Sequence, residues 1–262
     1  MKIKHTLINL FGLASLALCI QGIASENNSK LINDEIDRYG FTLLKEKRYE
    51  EALNWINTIL DNNHKNANAL RFKGDVFYFM GNYPSALKLY QSVVHIYQEQ
   101  KSLDSNDNLK FVSAIVRTAY VYEKLGQYNS AITKCREVLR IQPSDFDCLW
   151  TLVRAHSALG DVQSAIIFSD TLISAYPNSS LGYELRRLFN VEAGEFSKAL
   201  VLSEKIVKLN PSSGYPYFIR GKDYLSLNRL GEALEDFRIV LKLSKKDAPH
   251  YIKAKNFVDQ LD

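Results

Sequence analysis

Hydrophobic and polar positions along the chain recur as a block. A small residue stands at Ala52, Ala86, Ala131, Ala165, Ala199 and Ala233, at separations of 34, 45, 34, 34 and 34. Three places before each anchor comes a large apolar or aromatic residue: Tyr49, Tyr83, Tyr128, Val162, Phe196 or Leu230. Seven places after it comes Ile59, Val93, Val138, Leu172, Ile206 or Val240. Twelve places before it stands Gly40, Gly74, Ala119, Val153, Arg187 or Gly221. Gly81, Gly126, Gly160 and Gly194 sit five before the anchor in four copies, and Pro143, Pro177 and Pro211 lie twelve after it in three. The block predicts two helices per copy, the first ended by glycine and the next copy opened by proline, with small side chains where the helices touch.

These residues and this period resemble the tetratricopeptide repeat family, a 34-residue pair of antiparallel helices. The tripeptide at Glu51–Leu53 returns as SAL, SAI, SAI, KAL and EAL in the later copies. The resemblance implies an all-α protein, a right-handed α-solenoid of about six helix pairs. Copies 1 and 2 occupy 33–98, an inserted polar loop 99–110, copies 3 to 6 111–246, and a C-terminal capping helix 247–262. Val153 and Arg187 depart from the small residue of the first helix, and His64, Gln98 and Lys245 replace the closing proline. Looser or differently angled joints are expected there.

The N-terminus adds a compartment to this picture. Lys2 and Lys4 head an apolar run over 7–20 that exits through Ala24 and Ser25, the pattern of a secretory signal over 1–25, followed by a polar leader at 26–32. Leu16-Ala17-Leu18-Cys19 also resembles the lipobox of bacterial lipoproteins, although Leu18 replaces the small residue that usually precedes its cysteine. Three alternatives stay open: cleavage near Ala24 or Ser25, lipidation of Cys19, and an uncleaved membrane anchor. The expected location is the periplasm or cell envelope, with membrane association through the signal or a lipid. Cys135 and Cys148 read as buried free thiols at helical packing positions, and an oxidising compartment would permit them to pair.

Composition narrows the function. With 33 Lys+Arg against 29 Asp+Glu the net charge is +4, and without Lys2 and Lys4 it is +2, which gives no electrostatic footprint for nucleic acid. The five histidines are dispersed, and no Cys/His cluster or Gly-rich phosphate loop is present. A non-catalytic protein without cofactor or metal is expected.

In the family, the first helix of each copy lines a concave surface that binds a segment of another protein. The places 18, 15, 14 and 11 before each anchor form one helical face, whose aromatics are Phe41, Phe72, Tyr120, Trp150, Tyr215 and Phe218. Over the last two copies the face turns apolar through Leu181, Leu185, Leu188, Tyr215, Phe218 and Ile219. The candidate partner-binding residues are Phe72, Arg117, Tyr120, Trp150, Arg154, Leu185, Leu188, Tyr215, Phe218 and Lys222. Trp150, Leu188, Tyr215 and Phe218 are expected to anchor an apolar segment, and Arg117 and Arg154 to orient it. The competing expectation buries these side chains against neighbouring helices or a dimer partner. The function that follows is an interaction scaffold or adaptor binding a protein or peptide segment. The runner-up is an accessory subunit holding a small apolar molecule or lipid beside a transporter. Oligomeric state is left open.

Overall fold

A computed structural model describes residues 26–100 and 102–260. The signal read over 1–25, and Cys19 with it, lies outside them. Among the described residues the secondary structure is helical throughout, with no strand. Helix α1 (Glu26–Glu35) passes through one turn of π-helix (Ile36–Gly40) into α2 (Phe41–Lys45). There follow α3 (Tyr49–Asn62), α4 (Ala67–Phe79), α5 (Tyr83–Gln98), α6 (Ser105–Lys124), α7 (Tyr128–Ile141) and α8 (Phe146–Ala158). The chain continues with α9 (Val162–Ala175), α10 (Ser180–Glu192), α11 (Phe196–Leu209), α12 (Gly214–Ser226), α13 (Leu230–Leu243) and α14 (Pro249–Val258). The polar leader is thus the start of α1.

The repeat chemistry explains each turn. All six anchor alanines are fully buried. The glycines five places earlier adopt left-handed backbone, φ +79° at Gly81, +70° at Gly126, +76° at Gly160 and +72° at Gly194. In copies 1 and 6 the same place falls to Lys47 and Asn228, both at φ 57°. In every copy the following residue donates its N–H to the carbonyl five residues back, as Asn82 does to Phe77 and Arg48 to Leu43, both at 2.9 Å. This is the hydrogen bond that closes a helix through a left-handed residue. Asn66, Asn82, Asp145 and Asp161 cap the helices that follow them.

The chain divides into two compact units, one ending at Ala114 and one beginning at Ile115. The first has a core of Ile36, Leu43, Ile56, Phe72 and Val76. In the second, one cluster gathers around Val153, Ala165 and Phe189, and another joins α12, α13 and α14 through Tyr224, Phe237, Val240, Ala254 and Val258. Helix α14 packs in this last cluster, while Lys253 and Lys255 on it and Asp259 just past its end face solvent.

The insertion differs from expectation. Rather than a loop through 110, helix α6 begins at Ser105, because Asp104 accepts the N–H of Asp107 at 2.7 Å and so caps the helix.

At the joint where Arg187 replaces the small residue, its side chain is buried and makes two hydrogen bonds to Asp223. One of them, from Nε to Oδ2, is 2.6 Å.

Candidate functional site

Helices α10 and α12, the first helices of copies 5 and 6, present the apolar face read from the sequence. Gly182 and Gly214 are buried near their N-termini, where a Cβ would meet Ile173 and Ser244 respectively. Leu188 and Tyr215 stand 49% and 45% exposed. Between the two helices lies a cavity of about 140 Å³ lined by Glu184, Arg187, Leu188, Tyr215, Phe218, Ile219 and Lys222. Phe218 is half-buried, its ring 5.9 Å from Phe237 and 6.2 Å from His250. Tyr215 meets His250 edge-on at 5.8 Å, and His250 is itself fixed by a 2.8 Å contact between Nε2 and Ser244 Oγ. These ring contacts hold the aromatic wall in place.

Arg187 contributes to the cavity lining and, with Glu184 and Ile219, is one of three lining residues that are not among the candidate partner-binding residues read from the sequence. It is 6% exposed and Asp223 only 1%, and Arg187 also donates to the Ile219 carbonyl at 3.3 Å. The guanidinium therefore sits at the edge of an apolar pocket with its charge already matched. Glu184 and Lys222 bring opposite charges to the same site, and Ser180 Oγ donates to Glu184 Oε1 at 2.9 Å. Burial, and then Glu184, push the Tyr215 phenol above its ordinary range while Arg187 opposes them, so the hydroxyl is neutral near pH 7.

The other candidates divide. Trp150 is half-buried, and Arg154 lies over its ring at 5.7 Å. Arg154 also pairs with the buried Glu123 at 2.6 Å, so part of its guanidinium is held by an internal pairing. The Tyr120 hydroxyl donates to Asp147 at 2.6 Å; burial and that bond push its pKa well above the ordinary value. Arg117 is half-buried and Lys222 is exposed. Leu185 packs on the Val153 cluster. Phe72 belongs to the core of the first unit: it is 2% exposed, its ring lies 5.8 Å from Trp55, and it fills the space beside Gly40. It is not a surface residue.

Residues 112–145 match the model of the tetratricopeptide repeat. The fold is that of the tetratricopeptide repeat (TPR). A TPR protein from Parabacteroides merdae is similar over 90% of this chain and 85% of its own, with 18% identity and a TM-score of 0.58. The C-terminal part of a TPR protein from Cytophaga hutchinsonii gives 86% and 88% coverage, 15% identity and a TM-score of 0.65. A TPR protein from Thermus thermophilus gives 73% and 98%, 20% identity and 0.53. No curated protein matches the chain. TPR stacks serve in general as surfaces for other proteins, typically without catalysis. Among the described residues, no group of His, Cys, Asp and Glu could hold a metal ion, and no helix is long and apolar enough to cross a membrane.

Proposed function

We propose that this TPR protein is a non-catalytic interaction scaffold of the cell envelope that binds a segment of another protein along α10 and α12. The observation that carries this reading is the pocket between them. Its walls are apolar, it has charges of both signs, and it holds a cation that is already neutralised. At about 140 Å³ it matches the size of a cavity known to accept a single benzene ring, about 150 Å³. One aromatic or branched aliphatic side chain of a partner segment would fill it. Sites for whole small molecules span roughly 300–1,000 Å³, so the pocket favours a protein segment over a lipid or drug-sized ligand. The placement in the envelope rests on the signal-like pattern over 1–25.

A displayed library of random peptides selected on the immobilised protein tests the reading. Enriched sequences are expected to carry one large apolar residue flanked by charges. Leu188→Glu and Tyr215→Ala should each weaken their binding about tenfold or more, the ~1.4 kcal/mol or above of a residue that anchors an interface. Val201→Glu, at an exposed position on α11, should leave it unchanged. Peptides insensitive to both changes on α10 and α12 would overturn the assignment.

A further inference from the structure

The charges around the pocket say more about its occupant than its size does. Three charged side chains line it, Glu184 and Arg187 on α10 and Lys222 on α12. Arg187 is taken by Asp223. Neither of the other two has an ion-pair partner among the described residues: Glu184 accepts the hydroxyl of Ser180 and is half-buried, and Lys222 is exposed. One unmatched acid and one unmatched base therefore stand on different walls of the same apolar cavity.

The repeat fixes where the two stand. Glu184 and Phe218 are 34 residues apart, as are Leu188 and Lys222, so each pair occupies equivalent places on the two helices. Glu184 lies one turn nearer the start of its helix than Lys222 does, about 6 Å along the axis. Helices packed side by side have axes about 10 Å apart, which puts the two positions on a diagonal of about 12 Å across the cavity. In an extended chain alternate side chains face the same way, and residues four places apart are separated by about 13 Å. A central residue seated in the cavity brings the side chains two places before and after it to Glu184 and Lys222. A helical partner docks instead through a stripe of anchors at i, i+3, i+4 and i+7, and a cavity of about 140 Å³ has room for one.

Taking this pocket as the docking site, we propose that its partner is an extended segment of opposite flanking charges: a large apolar residue in the cavity, a basic residue two places to one side paired with Glu184, and an acidic residue two places to the other side paired with Lys222. The two rim pairs set which segments are accepted and in which direction they run, because a flank of the wrong sign meets a like charge. The apolar residue supplies most of the affinity.

The test is a displayed library of nine-residue peptides with phenylalanine fixed at the centre and the other places random, selected on the immobilised protein and read by sequencing. On the parent, a basic residue two places to one side and an acidic residue two places to the other should each be enriched roughly two- to fivefold over neutral flanks, the gain of a partly exposed ion pair. Glu184→Lys should turn both flanks acidic, Lys222→Glu should turn both basic, and the two changes together should restore one of each sign. Glu184→Gln, which keeps an acceptor for Ser180 and brings no new cation beside Arg187, should lose the basic preference alone. Leu188→Glu should abolish selection of every class. Flank preferences unmoved by Glu184→Gln and Lys222→Glu, with selection still abolished by Leu188→Glu, would overturn the proposal and leave the pocket standing as a docking site. Charges enriched three or four places from the centre would overturn the extended chain. Selection indifferent to Leu188→Glu would overturn the pocket itself, and the proposal with it.

Discussion

Arg187→Met is the sharpest probe of how copies 5 and 6 are joined. The substitution keeps an apolar stem of similar length in the pocket and removes the charge, leaving Asp223 at 1% exposure without its partner. At an effective dielectric of about 20, two unit charges about 4 Å apart attract by about 4 kcal/mol. Desolvation cancels most of this, so the intact pair contributes little net stability, whereas stranding one partner costs about 3–5 kcal/mol. Two further variants separate these terms. Arg187→Met combined with Asp223→Leu should return to within about 1 kcal/mol of the parent, because no charge then remains in the joint. Arg187→Lys should fall between, since an ammonium cannot supply two parallel bonds to the carboxylate and a third to the Ile219 carbonyl. Urea unfolding followed by far-UV circular dichroism reads the series. For an m-value of about 2 kcal/mol/M, the single variant should lower the midpoint by about 1.5–2.5 M. Raising the salt should change this difference little, as buried pairs are weakly screened. A loss below about 1 kcal/mol for Arg187→Met, or a double variant as unstable as the single, would refute the buried pair as drawn.

Lys47 holds a left-handed conformation that costs an ordinary residue about 1–2 kcal/mol, so Lys47→Gly should stabilise the first unit by roughly 0.5–1 kcal/mol in urea unfolding after the entropy of glycine is subtracted. Burial, and then Asp107, push the Tyr97 phenol up to about 12. Its folded-state pKa is raised, so the folded chain keeps a proton that the unfolded chain loses; the contribution is full below about pH 10 and disappears as pH rises towards 12. Unfolding free energies measured across this alkaline window should decline, and Tyr97→Phe should flatten the decline. Edman sequencing of protein from its native host should begin near Ser25 or Glu26, or be blocked at a lipidated Cys19; an intact Met1 on protein recovered from membrane-free cytosol would refute export.

Period and residue size made the helix pairs legible. Anchors at one spacing had to be the close contacts, and the glycine turns followed from their place in the block. Even Lys47 and Asn228 take the glycine conformation, because the helices on either side dictate it. The site was legible in outline only. Spacing put Phe72 and Phe41 on one face, yet Phe72 is core and Phe41 is exposed, since a first helix packs on more than one side and a single-stripe pattern cannot say which edge meets solvent. The Arg187–Asp223 pair lies off the 34-residue period, 36 apart, and only three-dimensional stacking brings the two together. The early start of α6 was hidden because Asp104 sits among polar residues that read equally well as loop.

Helix α14 has a consequence beyond the copy it covers. A stack of like units grows by adding the same contact again, and an end left open is a template for the next molecule. Ala254 and Val258 close that template on the apolar side of copy 6, while Lys253, Lys255 and Asp259 turn a charged surface outward. Helix α14 thus covers apolar surface of the kind that a head-to-tail contact, which never closes on itself and builds open-ended filaments, would need.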